Sequence, residues 1–172
     1  MSGITTQNND KELVLERILD APRELVFKAW TEAERLAHWW GPKGFTMGIS
    51  TLDFRPGGTF LYSMKTPDGM EMWGKFTFHE IEAPEKLVFV NCFSDPDGNV
   101  TRAPFSATWP LEVYNTLTLT EENGKTRLVL RGYPINATEE ELATFEGMRG
   151  SMNEGWGGTF GQLDAYLAAA QS

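Results

Sequence analysis

The sequence predicts an α+β fold, a curved antiparallel sheet closed by one long C-terminal helix, and three observations predict it. From Phe45 to Tyr133, apolar and polar residues alternate along short runs separated by turn chemistry. From Glu139 onward, apolar residues recur every three or four positions, the spacing of one helical stripe. Between Asp20 and Trp40, two short helical patterns follow a first strand.

The elements follow in order. Residues 1–11 are polar and read as a flexible tail, with residues 12–172 as a single domain. Leu13 to Leu19 reads as the first strand, ending at Asp20-Ala21-Pro22, where Pro22 suits the first turn of a helix. Leu25, Val26, Ala29 and Trp30 give that helix its spacing. Thr31-Glu32-Ala33-Glu34 fits a capping box that opens a second short helix running to about Trp39. Gly41-Pro42 is expected to stop it, so that Phe45 begins the next strand.

The sheet is then punctuated by Arg55-Pro56-Gly57-Gly58, Pro67-Asp68-Gly69, Glu82-Ala83-Pro84-Glu85, Asp95-Pro96-Asp97-Gly98 and Glu122-Asn123-Gly124-Lys125. Alternation puts Phe60, Tyr62 and Met64 on one face of a strand, Met72, Gly74, Phe76 and Phe78 on one face of the next, and Val113, Asn115, Leu117 and Leu119 together later. Ser94 to Pro110 is longer than a hairpin connection and mixes Asp95, Asp97, Arg102, Phe105 and Trp109 with prolines. It reads as a surface loop over one sheet edge, with a lid as the alternative.

Glu139-Glu140-Glu141 places carboxylates in the first turn of the final helix, at its positive end. Phe145, Met148, Met152, Trp156, Phe160, Leu163 and Leu167 form its apolar stripe. Gly147, Gly150, Gly155, Gly157, Gly158 and Gly161 oppose helix formation at about 1 kcal/mol each. Close packing on the sheet, unfilled volume beside it, or a local break near Gly157-Gly158 would each account for them. Gly155 to Thr159 lacks the lysine and preceding strand of a phosphate-binding loop.

Composition narrows the function. With 15 Lys+Arg against 24 Asp+Glu, the net charge of -9 opposes nucleic acid and anionic membrane surfaces as partners. The one cysteine, Cys92, precludes an internal disulfide, and His38 and His79 alone are too few histidines for an ordinary zinc site, so neither a metal nor a cofactor is expected. The N-terminus has no signal-peptide pattern, and no apolar run reaches the roughly 18 residues needed to span a bilayer. A cytoplasmic protein without membrane insertion is expected.

No residue is singled out as catalytic. There is no G-x-S-x-G, Cys92 falls inside a strand without an evident base, and His79-Glu80 reads as a solvated strand end. Asp53, Tyr62, Asn91, Tyr114 and Asn115 are polar residues in apolar strands, and parity favours Tyr62 and Asn91 as groups facing a cavity. His38 reads as a partly exposed helix residue.

Several stretches resemble one superfamily: Asp20-Ala21-Pro22-Arg23-Glu24-Leu25-Val26-Phe27-Lys28-Ala29-Trp30, Leu36-Ala37-His38-Trp39-Trp40-Gly41-Pro42, and Phe54-Arg55-Pro56-Gly57-Gly58-Thr59-Phe60. Glu80 to Phe89 and Gly155 to Leu167 continue the match, which covers roughly residues 12 to 169. The chain resembles the START-like (SRPBCC) superfamily, in the branch named after the activator of heat-shock-protein-90 ATPase. The resemblance implies a helix-grip fold whose sheet and C-terminal helix enclose a hydrophobic cavity, and it carries over no catalytic residue. The eukaryotic activator has a separate N-terminal domain that contributes to chaperone binding. Here the START-like part begins within about a dozen residues of Met1, so chaperone binding is not the expectation.

The functional expectation is a protein that holds a hydrophobic or aromatic small molecule, lipid or polyketide-like, between sheet and final helix. Trp39, Trp40, Phe60, Tyr62, Met64, Trp73, Phe89, Asn91, Trp156 and Phe160 are the expected ligand contacts. The alternatives are a cyclase or aromatase-type enzyme and a stress-related, co-chaperone-like interaction module. A homodimer is left open, supported by aromatics around Trp39 and Trp109.

Overall fold

The computed structural model describes residues 12–40, 44–103 and 106–171. The flexible tail expected for residues 1–11, the stop at Gly41-Pro42 and Phe105 of the long loop lie outside the described residues.

Strand β1 (Leu13–Leu19) leads into α1 (Arg23–Thr31) and α2 (Ala33–Trp39). Strands β2 (Thr46–Leu52), β3 (Thr59–Lys65), β4 (Glu71–Glu82) and β5 (Lys86–Ser94) follow. After the short β6 (Val100–Thr101) come β7 (Glu112–Glu122), β8 (Lys125–Ile135), α3 (Glu139–Gly147) and α4 (Arg149–Ala170). The sheet runs β1-β8-β7-β5-β4-β3-β2, with β6 added to β5, and its pairings are antiparallel.

The two-residue period of the strands decides which side chains meet α4. On the inner face, Phe60, Phe76, Phe89, Leu117 and Leu130 pack with Phe160, Leu163 and Leu167 of α4 in the main core. Each such fully buried leucine or phenylalanine contributes about 1.5–3 kcal/mol. A second, smaller cluster joins Leu13, Val113 and Phe145, with Trp109, Met152 and Trp156 packed against it.

The helices depart from expectation in two places. Thr31 does not cap α2: it is the last residue of α1, buried, and its Oγ1 donates to the Phe27 carbonyl at 2.9 Å. Glu32 takes the cap position and receives the Arg35 Nε at 2.6 Å instead. A hydroxyl turned back onto its own helix is unavailable to the next one.

The C-terminal helical stretch is two helices. It breaks at Met148, whose φ of -100 and ψ of 9 leave the helical region, rather than at Gly157-Gly158. Nor do the α4 glycines serve close packing: a Cβ built on Gly150, Gly157, Gly158 or Gly161 meets nothing within 4 Å. There is open space beside these glycines, and at Gly150 and Gly158 it is solvent.

The acidic first turn of α3 is stronger than dipole matching alone. Thr138 and Glu141 form a reciprocal capping box, the Glu141 backbone N–H donating to Thr138 Oγ1 at 3.1 Å and the Thr138 N–H to Glu141 Oε1 at 3.0 Å.

Candidate functional site

Between the sheet and the C-terminal helices lies a cavity of about 310 Å³, walled by β1, β3, β4, β5, β7 and β8 on one side and by α3, Met148 and α4 on the other. Its apolar lining comes from Leu13, Met64, Val113, Phe145, Met152 and Trp156. Polar side chains enter from the sheet as Tyr62, Asn91 and Asn115, and from α4 as Ser151.

Two cross-strand glycines make room for the sheet's polar groups. Tyr62 lies opposite Gly74, where a Cβ would fall 2.5 Å from the phenolic oxygen, and Asn115 lies opposite Gly132, where a Cβ would fall 2.6 Å from Oδ1. Neither glycine tolerates a side chain without moving its partner.

Asn115 Nδ2 donates to Asn91 Oδ1 at 2.7 Å and to the Val113 carbonyl at 3.1 Å. Tyr62 and Cys92 are the titratable side chains among the lining residues, and burial pushes both upward. The Trp40 indole beside Tyr62 opposes that rise. Both groups are therefore protonated and neutral near pH 7.

Of the expected ligand contacts, Tyr62, Met64, Asn91 and Trp156 line the cavity. Trp40, Phe60 and Phe160 stand one layer behind: Trp40 meets Tyr62 edge-on at 5.9 Å and Trp156 at 5.3 Å, Phe60 lies 4.8 Å from Tyr62, and Phe160 lies 5.3 Å from Trp156. Phe89 stacks on Phe76 at 4.3 Å in the main core.

Trp39 is deeper still, 1% exposed, with Nε1 donating to the Ala29 carbonyl at 2.9 Å. It offers no surface to a second copy and so lends no support to a homodimer. Trp73 belongs to the other face of the sheet, because Met72, Gly74 and Phe76 hold the inner parity, and its indole donates to Glu71 at 3.3 Å.

Tyr114 also faces outward, 5.5 Å from Tyr133 and 5.9 Å from His79, which sits where the β4–β5 register shifts. Asp53 pairs with Arg55 at 2.8 Å in its turn. His38 is exposed and stacked on Tyr166 at 5.5 Å.

Arg102, Thr108 and Trp109 fasten the long loop's described residues to the cavity wall and α3. Trp109 joins the cavity wall and lies 5.5 Å from Phe145, while Thr108 and Thr144 hydroxyls meet at 2.8 Å. Arg102 Nη1 donates to the Trp109 carbonyl at 3.2 Å and to Glu141 Oε2 at 2.5 Å. That guanidinium, together with the Thr138 N–H, holds the Glu141 carboxyl below its usual range.

Sequence reasoning passed over Val113, Gly132, Phe145, Met148, Ser151 and Met152 as wall residues. The parity of β7 carried the signal for Val113. For the helix residues, the signal was hidden by the break at Met148, which a continuous stripe does not betray.

Among the described residues no group of three or more His, Cys, Asp and Glu side chains is placed to hold a metal ion, and no helix is long and apolar enough to cross a membrane.

The sequence profile of the family described as Activator of Hsp90 ATPase homolog 1-like protein matches residues 20–168. Among solved structures, a protein from Arthrobacter aurescens is 27% identical with a TM-score of 0.79, the match covering 96% of this chain and 92% of that one. A Mycobacterium smegmatis protein is 26% identical with a TM-score of 0.75, covering 92% and 91%. A Nitrosomonas europaea protein at 24% identity and a TM-score of 0.75, covering 96% and 99%, shares the fold. No curated protein sequence matches the chain.

Proposed function

Because the chain belongs to the Activator of Hsp90 ATPase homolog 1-like family, whose START-like fold surrounds a cavity, we propose that it binds a hydrophobic or aromatic small molecule between its sheet and C-terminal helices. The observation that carries this reading is the cavity itself. At about 310 Å³ it is at the lower end of the range for ligand sites, its wall is mostly apolar, and a few polar atoms converge on it. Such a volume suits a compact molecule of two or three rings, or a short acyl chain, better than a long lipid.

The polar groups suit recognition. Tyr62 and Cys92 are held in their neutral forms, and no lining residue carries a formal charge. A neutral ligand gains the transfer of its apolar surface from water, at roughly 25 cal/mol per Å², without leaving a charge unpaired in the wall.

Screening neutral aromatic and short-chain compounds by thermal shift and native mass spectrometry tests the reading. A binder raises the melting temperature in proportion to the logarithm of its concentration over Kd, and its one-to-one complex survives in the spectrometer. A screen in which no compound stabilises the protein or perturbs Val113, Met152 and Trp156 resonances would sink it.

A further inference from the structure

We infer that the cavity ligand carries a neutral group that both accepts and donates a hydrogen bond, such as an alcohol or phenol hydroxyl, engaged by Asn91 and Asn115 together. This rests on the reading of the cavity as a ligand site and names the chemistry of that ligand.

The orientation of both amides follows from one carbonyl. The Val113 backbone oxygen can only accept, so the Asn115 atom at 3.1 Å from it is Nδ2. The same Nδ2 gives its other hydrogen to Asn91 at 2.7 Å, so the Asn91 atom there must be Oδ1. Asn115 therefore turns Oδ1 toward Gly132, where the absence of a Cβ leaves room for it. Asn91 correspondingly presents Nδ2.

Neither of these two atoms makes a hydrogen bond among the described residues, and neither is a sealed buried atom without a partner. Both side chains line the cavity. Two adjacent amides thus offer it one donor and one acceptor.

A hydroxyl is complementary to that pair: its lone pair accepts from Asn91 Nδ2 and its proton goes to Asn115 Oδ1. An ether or ketone satisfies Asn91 and leaves Asn115 Oδ1 facing a group that cannot donate. A carboxylate places a negative charge against Oδ1 in a wall with no cation to balance it. The pair is thus a filter for the protonated, neutral polar head of an otherwise apolar molecule.

The test uses four probes of similar size: naphthalene, 2-methoxynaphthalene, 2-naphthol and 2-naphthoate, with Kd measured by titration calorimetry. The expected order puts 2-naphthol about tenfold tighter than 2-methoxynaphthalene, the effect of about one additional hydrogen bond, and 2-naphthoate without measurable binding. In Asn91→Leu, the advantage of 2-naphthol over naphthalene should collapse to within about twofold, and a retained advantage of about tenfold overturns the assignment to Asn91.

A second readout needs no variant: in the unmodified protein, the Asn91 side-chain amide protons should shift on adding 2-naphthol and stay in place with naphthalene. Equal Kd values for 2-naphthol and 2-methoxynaphthalene, or a still amide resonance at saturation, overturn the hydroxyl assignment and leave the cavity reading intact. Failure of all four probes to bind overturns both.

Discussion

Tyr62 on β3 lies directly across from Gly74 on β4, and the phenolic oxygen occupies the space that a Cβ at position 74 would fill, 2.5 Å from it. The ring carbon bearing that oxygen would lie at 2.6 Å, so the whole ring would have to move. Tyr62 is 5% exposed and surrounded by Trp40, Phe60 and Phe76, which leaves it little room to do so. Gly74→Ala should therefore destabilise the protein by about 1–3 kcal/mol, the usual cost of overpacking a core. Urea unfolding measures it. The same substitution in a Tyr62→Leu background should cost less than half as much, and an equal cost in both backgrounds would show that the clash is not with the ring.

The glycines of α4 predict the opposite sign. A Cβ at Gly157 or Gly158 meets nothing, and both residues are helical, so alanine removes unfolded-chain freedom without a clash. Gly157→Ala and Gly158→Ala should each stabilise by about 0.5–1 kcal/mol and raise the melting temperature by a few degrees. A loss of stability in either would mean that the open space beside the helix is used by a part of the chain packed differently from the structure.

Glu141 ties the long loop to α3 through Arg102 and caps that helix through Thr138. The Arg102 hydrogen bond, with the Thr138 N–H second, lowers its folded pKa below the ordinary 4.5. The sign is that of a depressed carboxyl: its contribution is present above pH 4.5 and disappears as pH falls through the lower folded value. The stability difference between wild type and Glu141→Gln should accordingly be greatest near neutrality and shrink below pH 4.5. Denaturant midpoints at a series of pH values check this, and a difference that stays constant from pH 7 to 3 would contradict it. Thr138→Ala, which removes the cap alone, should cost about 1 kcal/mol at every pH where Glu141 is ionised.

How far the sequence goes depends on whether a residue's role follows from its neighbours in the chain. β1 from Leu13 to Leu19 and the inner parity of Phe60, Tyr62, Phe76 and Leu117 follow from two-residue alternation bounded by turns, and the structure keeps them. Tyr62 and Asn91 reach the cavity for the same reason. Trp39, Phe60, Phe89 and Phe160 share the composition of a pocket wall, yet they fill core, because a side chain facing a cavity and one facing another side chain have the same pattern. Trp73 was separable by parity alone. The break at Met148 is flanked by Gly147 and Gly150, but the apolar spacing continues across it and the denser glycines at 155–161 draw the expected break further along the helix.

The break at Met148 also sets where the cavity can be blocked. α4 begins one residue beyond it and brings Ser151 to the cavity margin, where the side chain is exposed to solvent and also borders the cavity. An exposed serine at a helix position can be enlarged without displacing core atoms, so its effect on stability should stay within about 0.5 kcal/mol. A phenylalanine there extends over the cavity and occupies volume a ligand needs. Ser151→Phe should weaken binding of naphthalene or any other cavity probe at least tenfold, as read by titration calorimetry, while the melting temperature shifts by no more than about 2 °C. Phenylalanine at exposed Ala170, at the far end of the same helix, supplies the control for added surface hydrophobicity and should leave binding unchanged. If Ser151→Phe binds probes as tightly as wild type, the molecule enters elsewhere than between α4 and the sheet.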